Sequence, residues 1–173
     1  MGQRTPGVTG LELCVRDMTL QRIVSGGQTG VDRGALDAAL AAGFPCGGWC
    51  PQGREAEDGA IPDRYPVTTL PGANYLERTR QNVIGSDGTV VICFGELSGG
   101  TLKTVEFCDR FGKPVVVLDG NALAPDAAAS KAAAFVSSHA IRILNVAGPR
   151  ESGHTGARTY AEQVIGLLLR AAG

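Results

Sequence analysis

Five short apolar runs, separated by segments with helical periodicity, constrain the fold of this chain more than any other feature of its sequence. Runs of this length that are rich in Val, Ile and Leu are typical of buried strands rather than of helices. The second run is the weakest of the five, because it consists of Cys, Gly and Trp. The predicted strands cover residues 22–25, 46–49, 89–94, 114–118 and 141–146.

The segments between these runs repeat apolar residues at helical spacing. Strands that alternate with helices form βαβ units, whose crossover connections place neighbouring strands parallel. The sequence therefore predicts an α/β fold, Rossmann-like and doubly wound, with a mainly parallel sheet and helices on both faces. The predicted helices cover residues 31–42, 74–84, 101–111, 125–138 and a final stretch that ends near residue 170.

The chain has 173 residues, which is the length of one ordinary domain. Gly and Pro recur in residues 1–19, which predicts a flexible N-terminal leader. Residues 20–173 are then predicted to form a single Rossmann-like ligand-binding domain. Within it, residues 51–73 combine Pro and Gly with many charges, which predicts a long irregular insertion of a kind that is often functional.

The composition argues against several classes of protein. The net charge is −1 and the 16 Lys and Arg residues are scattered, so nucleic acid is not the expected partner. No apolar run approaches the ~18 residues that a membrane-spanning helix needs, and the five cysteines lack the pattern of a disulfide framework. We therefore expect a cytoplasmic protein. No Cys and His set completes the four ligands of a structural zinc, so no side-chain metal site is expected.

The first glycine-rich loop, residues 25–34, follows the first predicted strand and opens a helix. Glycines there let backbone N–H groups approach an anion, and the helix N-terminus adds partial positive charge. The sequence leaves two roles open for Asp32, which can complement the helix dipole or bind a ligand hydroxyl or amine. The candidate binding residues in this loop are Gly26, Gly27, Gln28, Thr29, Gly30, Asp32 and Arg33.

Two further loops are expected at the same edge of the sheet, because ligands of such sheets bind beyond the carboxyl ends of the strands. The second loop, residues 95–101, follows the third predicted strand, and the third loop, residues 145–154, follows the last predicted strand. Arg54, in the insertion, is a candidate anion contact or lid residue. The candidate binding residues outside the first loop are Ser98, Gly99, Gly100, Thr101, Thr104, Gly148, Arg150 and Arg54.

Glu106 is the candidate catalytic residue if the protein is an enzyme, because it lies one turn into the helix that follows the second loop. A solvated helix carboxylate is the favoured reading of this residue. No nucleophile beside a base is evident in the sequence. A binding protein is therefore favoured over an enzyme.

Several stretches resemble the molybdenum-cofactor carrier proteins, and the resemblance covers about residues 20 to 170. The first matching stretch is long and specific, and the others gain weight from their order along the chain. The matching residues are 25–37, 48–54, 56–59, 75, 78–79, 82–83, 86–89, 99–101 and 145–149.

The resemblance implies that the chain binds molybdenum cofactor (molybdopterin), a pterin that carries a phosphate, and that it assembles as a homo-oligomer, a dimer or tetramer. The expected partner is thus a phosphorylated small molecule. The same superfamily includes phosphoribohydrolases that release cytokinin bases, so a nucleotide-processing enzyme that cleaves an N-glycosidic bond, or a sensor of nucleotide derivatives, is the alternative. Residues 99–106 lack one glycine of the phosphoribohydrolase motif and change its Thr-to-Glu spacing.

Overall fold

The computed structural model describes residues 19–173, and a five-stranded parallel sheet lies at its centre. The sheet has the order β2-β1-β9-β7-β8, and each neighbouring pair of its strands is parallel. The predicted α/β class with a parallel sheet is therefore confirmed. The strands are β1 (Arg22–Val24), β2 (Cys46–Gly47), β3 (Trp49–Cys50), β4 (Glu55–Ala56), β5 (Gly59–Ala60), β6 (Thr68–Thr69), β7 (Gly88–Cys93), β8 (Val115–Asp119) and β9 (Ile143–Ala147).

Helices cover both faces of this sheet, as a doubly wound fold requires. On one face α5 packs against α1 and α4, and Val90 and Ile92 of β7 share their apolar core. On the other face α2 packs against α3, which packs on β7 with its buried Cys108 thiol near Thr89. Neighbouring strand residues point to opposite faces, so the two sets of helices lie on opposite sides. The helices are α1 (Val31–Ala41), α2 (Tyr75–Ile84), α3 (Gly99–Arg110), α4 (Pro125–Ser138) and α5 (Ala157–Ala172).

The predicted second strand, residues 46–49, is divided in the structure. Cys46 and Gly47 pair with β1 in the main sheet, whereas Trp49 and Cys50 pair with β6 in a separate two-stranded sheet. The chain changes direction at Gly48, whose φ is +130° and whose position leaves no room for a side chain beside the Ser25 carbonyl. The continuous strand was therefore a wrong prediction.

The insertion at residues 51–73 contains regular structure and shares a small apolar cluster with the body of the protein. Strands β4 and β5 form an antiparallel pair, and β6 lies near the end of the segment. Its apolar cluster joins Cys50, Ile61, Tyr65 and Val67 to Leu36 of α1. The segment is thus packed onto the body of the protein. The prediction of an irregular insertion missed its strands, because strands of two residues each are too short to show a period.

Helix boundaries agree with the sequence patterns to within two residues, and the largest differences are at the start of α3 and the end of α5. Asn74 caps α2, since its side chain accepts a hydrogen bond from the Glu77 N–H at 3.0 Å. Helix α3 begins at Gly99, two residues earlier than predicted, so two loop glycines belong to its first turn. None of the helices in residues 19–173 is long and apolar enough to cross a membrane. Apart from Thr19, the predicted leader lies outside the described residues.

Candidate functional site

A cleft of about 500 Å³ opens at the carboxyl edge of the main sheet. Its walls come from the loop after β1, the start of α2, the first turns of α3 and the loop after β9. This is the edge at which ligands of doubly wound sheets bind. The sequence-predicted residues that line the cleft are Gly26, Gln28, Asp32, Ser98, Gly99, Gly100, Thr101, Thr104, Gly148 and Arg150.

Five other predicted residues lie outside the lining of the cleft, and Arg33 is the clearest of them. Its side chain is 5% exposed and forms two hydrogen bonds with the Asp58 carboxylate, at 2.5 and 2.8 Å. Its Nε donates to the Gly27 carbonyl at 3.1 Å. Arg33 therefore fastens the insertion to the first loop.

Arg54 also makes its contacts within the insertion. Its guanidinium donates to the backbone carbonyls of Ile61, Pro62, Tyr65 and Val67, at distances between 2.8 and 3.1 Å. A guanidinium that uses its N–H groups in this way organises a segment of chain.

The remaining residues outside the lining are Gly27, Thr29 and Gly30. Both glycines have a φ of +78°, and a Cβ at Gly30 would lie 2.3 Å from the Pro149 carbonyl oxygen. The Thr29 hydroxyl donates to the Glu57 carboxylate. These residues hold three chain segments close together, and ligand contact by any predicted site residue stays a prediction.

Asp32 occupies the inner end of the cleft and is 4% exposed. Its Oδ2 accepts from the Gln28 N–H at 3.2 Å and from Nη1 of Arg78 at 3.1 Å. The Arg78 guanidinium lies against Gly26, where a Cβ would be 1.5 Å from Nη1. Gly26 thus provides the space that lets Arg78 reach Asp32. Asp32 also lies in the first turn of α1, so both of its predicted roles remain open.

The first loop has already used several of its backbone donors. The Gln28 N–H bonds Asp32, the Thr29 N–H bonds the Gln28 side-chain oxygen at 3.0 Å, and the Val31 N–H bonds the Pro149 carbonyl at 3.2 Å. An anion at this loop must therefore compete with internal acceptors.

The N-terminus of α3 offers donors without such competition. Ser98 is its N-cap residue but makes no side-chain cap, and the Leu102 N–H is the donor to the Ser98 carbonyl. The N–H groups that precede Leu102 in a first turn have no intrahelical acceptor. Gly99, Gly100 and Thr101 place three of these groups at the cleft. The free backbone donors thus lie at the second loop more than at the first.

The charge of the cleft favours an anion. Its lining contains three cations, Arg78, Lys103 and Arg150, and one carboxylate, Asp32. The exposed Arg150 guanidinium stacks over the Tyr75 ring at 5.0 Å, which joins the third loop to the start of α2. A helix N-terminus adds to this positive potential.

Glu106, the candidate catalytic residue, lies outside the lining of the cleft. Its side chain is 49% exposed, and it pairs with Lys103 at 2.6 Å on the surface of α3. This is the arrangement of an ordinary solvated helix carboxylate with its i−3 neighbour. Contact between Glu106 and a molecule in the cleft has no geometric support.

Glu57 connects the insertion to two loops of the cleft. Its carboxylate accepts from the Ser152 hydroxyl at 2.5 Å, from the Ser152 N–H at 3.2 Å and from the Thr29 hydroxyl. The hydrogen bonds from Ser152 and then Thr29 hold the pKa of this carboxyl below its ordinary value. Its backbone N–H donates to the Gln28 Oε1 at 2.9 Å. The first and third loops are thus held together from outside the cleft.

Several lining residues were not in the predicted set, and α2 supplies a signal that could have found two of them. Arg78 and Asn82 are four residues apart and therefore share one helix face. Asn82 is buried and forms two hydrogen bonds with the backbone of Trp49. Its Oδ1 accepts from the Trp49 N–H at 2.8 Å, and its Nδ2 donates to the Trp49 carbonyl at 2.9 Å. Asn145 in the middle of β9 donates to the Thr89 hydroxyl at 3.2 Å. The local sequence gives no sign that these segments meet.

The fold and the cleft define a Rossmann-like α/β protein whose glycine-rich cleft lies at the carboxyl edge of its sheet. Residues 23–169 match the family described as circularly permutated YpsA SLOG, and the chain belongs to this family. The crystal structure of a "putative molybdenum carrier protein" from Syntrophus aciditrophicus is similar, with 38% sequence identity and a TM-score of 0.85. The similarity covers 87% of this chain and 96% of that one. No protein of curated function matches the sequence.

Proposed function

We propose that this protein binds and carries a phosphate-bearing pterin of the molybdenum-cofactor type, with the phosphate at the N-terminus of α3. The observation that carries the proposal is the uncapped first turn at Gly99, Gly100 and Thr101, which faces the cleft. The similar protein from Syntrophus aciditrophicus, described as a molybdenum carrier, supports the choice of ligand.

The residues of the cleft fit such a ligand in size and charge. Its volume of about 500 Å³ lies within the range of small-molecule sites. The excess of cations suits a phosphate, and the amide and carboxylate groups at the inner end suit a polar ring. When bound, the cofactor would supply a redox-active metal centre to the enzyme that receives it.

The chain's own groups would hold the phosphate by hydrogen bonds and by charge. The N–H groups of Gly100 and Thr101 would donate to phosphate oxygens along the axis of α3. The Thr104 hydroxyl donates to the Gly100 carbonyl at 2.9 Å and steadies this turn. Arg150 and Lys103 would neutralise charge at the open end of the cleft.

A pair of substitutions at Gly100 tests the phosphate site. A Cβ at this position meets nothing within 4 Å, so Gly100→Ala keeps the N–H in an unobstructed turn. Gly100→Pro removes that N–H at a place where helices tolerate proline. By calorimetry we expect Gly100→Pro to weaken binding of 6-hydroxymethylpterin phosphate about tenfold, which corresponds to ~1.4 kcal/mol. Gly100→Ala should change it less than twofold, and equal affinities of the two variants would refute the phosphate assignment.

The identity of the natural ligand requires protein taken from cells that make molybdenum cofactor. Native mass spectrometry of anaerobically purified protein, with metal analysis of the same sample, should show a pterin phosphate and molybdenum. An empty protein that neither retains added cofactor nor slows its oxidation would contradict the carrier role. We also propose that the protein acts as a homo-oligomer, which the same native spectra would measure.

Nucleotide cleavage is the second candidate, and Asp32 is the observation in its favour. It is a carboxylate at the inner end of the cleft, where it could stabilise positive charge on a ribose. Under the carrier proposal, nucleoside monophosphates should release no base. Base release that Asp32→Asn abolishes and Glu106→Gln leaves intact would instead establish the enzyme.

A further inference from the structure

The inner end of the cleft contains two buried N–H donors that no acceptor within residues 19–173 satisfies. They are the side-chain Nε2 of Gln28 and the Nε of Arg78. Both residues line the cleft. Buried donors in native proteins are nearly always paired, so an unpaired one calls for an explanation such as an absent partner.

The orientation of the Gln28 amide is fixed by its oxygen. Oε1 accepts from the Thr29 N–H at 3.0 Å and from the Glu57 N–H at 2.9 Å. A flipped amide would place NH₂ against both backbone donors and lose both bonds. Gln28 is 4% exposed, so few other positions are open to it. Nε2 is therefore a fixed donor that lacks its acceptor.

Asp32 supplies an acceptor in the lining of the same cleft. Asp32 uses Oδ2 for the Gln28 N–H and for Nη1 of Arg78, while Oδ1 has no hydrogen bond within the described part of the chain. The backbone of Gln28 and the guanidinium of Arg78 thus meet at one carboxylate. The inner end presents donors and a negatively charged acceptor next to each other.

We infer that Gln28, Asp32 and Arg78 form a recognition site for the lactam edge of a heterocycle, meaning a ring carbonyl next to a ring N–H. The carbonyl accepts from Gln28 and Arg78, while the ring N–H and an adjoining amino group donate to Asp32. The inference rests on the proposed function and assigns the ring to a part of the cleft separate from the α3 terminus. Pterins and guanine share this edge, whereas a phosphate lacks its donors.

Entry of the ring requires a movement of Arg78. Its Nε is buried and its guanidinium lies against Gly26, so a ring acceptor reaches this donor when the guanidinium rotates. One polar contact, the 3.1 Å bond between Nη1 and Asp32, holds the guanidinium in place. The site is therefore opened by rotation of one side chain.

Two ring compounds without a phosphate test this site independently of the phosphate site. 6-Hydroxymethylpterin carries the complete edge, while 6-hydroxymethyllumazine replaces its amino group with a carbonyl that would face Asp32. Calorimetry with the full chain should give at least tenfold tighter binding of the pterin. Guanosine carries the same edge on a nucleoside, so its affinity relative to the pterin shows which source of the edge the site prefers.

Variants assign the effect to the named side chains. Gln28→Glu keeps an oxygen for both backbone N–H groups and removes the free donor, and Arg78→Lys keeps the charge beside Asp32 and removes Nε. Each should weaken pterin binding at least tenfold, and Arg78→Lys, which keeps the charge of the cleft, should change the affinity for inorganic phosphate less than twofold. Arg80→Lys is the matched control, because Arg80 lies on the same helix outside the lining of the cleft. Thermal unfolding of each variant verifies that it is folded.

Equal affinity for the two rings, no binding of either ring, or indifference to Arg78→Lys in the folded variant would overturn the inference. If phosphorylated pterin then still binds in a manner sensitive to Gly100→Pro, the proposed function stands without this ring site. If Gly100→Pro has no effect while the ring discrimination persists, the phosphate assignment fails and the ring site stands.

Discussion

Gly48 shows how one residue determines the path of the chain beside the cleft. Its backbone lies so close to Ser25 that a Cβ would be 2.1 Å from the Ser25 carbonyl oxygen, and its φ of +130° is unfavourable for any residue with a side chain. The turn that follows places Trp49 where Asn82 can bond it on both sides. A glycine here thus positions Trp49, whose backbone holds Asn82 in the lining of the cleft.

We expect Gly48→Ala to lower the free energy of unfolding by about 2–4 kcal/mol, because backbone strain and collision add. Gly59→Ala is the control, since Gly59 has a φ of +114° but nothing within 4 Å of an added Cβ. Gly59→Ala should lower the free energy of unfolding by about 1–2 kcal/mol, from backbone strain alone. Urea unfolding of both variants measures the difference, and equal costs would show that the contact with Ser25 relaxes freely.

At the scale of the elements, the packing of α1 against α5 supports the loops on either side of the cleft. Helix α1 begins after the first loop and α5 after the third, so their contact sets the distance between these loops. Gly34 is the point of close approach, because a Cβ there would be 2.3 Å from the Arg158 carbonyl oxygen and 2.9 Å from the Ala161 Cβ. A helix interior normally prefers alanine, so this glycine reflects tertiary packing.

Two glycine-to-alanine changes on the facing helices should have opposite signs. Gly34→Ala should lower the free energy of unfolding by about 1–3 kcal/mol, since the helices must separate. Gly166→Ala in α5 should raise it by up to about 1 kcal/mol, because the added Cβ meets the Arg170 guanidinium at an ordinary 3.7 Å. Equilibrium denaturation decides the point, and a stabilising Gly34→Ala would contradict the close packing of α1 on α5.

At the scale of the whole molecule, carboxylates join the insertion to the body. Glu57 bonds Ser152 and Thr29, and Asp58 bonds Arg33. The hydrogen bond from Arg33 lowers the pKa of Asp58, as those from Ser152 and Thr29 lower that of Glu57. Both carboxylates are exposed enough for water to screen them, so each contact contributes modestly.

Acid should therefore weaken these contacts. The pKa of Glu57 is lower in the folded state than in the unfolded state. The stability that this shift contributes is complete above the unfolded pKa and is lost as pH falls through the folded pKa. Between pH 7 and pH 3 we expect Glu57→Gln to lose less unfolding free energy than the wild type, by under about 1 kcal/mol. Glu55→Gln is the control, since the Glu55 side chain has no hydrogen bond within residues 19–173. If the unfolding free energies of the wild type and Glu57→Gln fall equally between pH 7 and pH 3, the hydrogen bonds of Glu57 do not stabilise the fold.

The periodicity of the sequence was enough to predict the parallel sheet, both helix layers and the edge of the sheet at which the cleft lies. These features depend on residues close in sequence, such as the apolar run of β7 and the Asn74 cap, and on the general connection rules of βαβ units. The predicted loops meet at one cleft for the same reason. The two-residue strands of the insertion escaped prediction, because they carry too few residues to show a period.

The tertiary structure alone decided which glycine-rich loop keeps free donors. Both candidate loops precede a helix and look equivalent in sequence, but acceptors from Asp32, Gln28 and Pro149 occupy the first, while the first turn of α3 stays open. Arg78 comes to rest on Gly26 although many residues separate them along the chain. Local sequence determines secondary structure, because its hydrogen bonds are short-range. The availability of a donor depends on acceptors that only folding brings near.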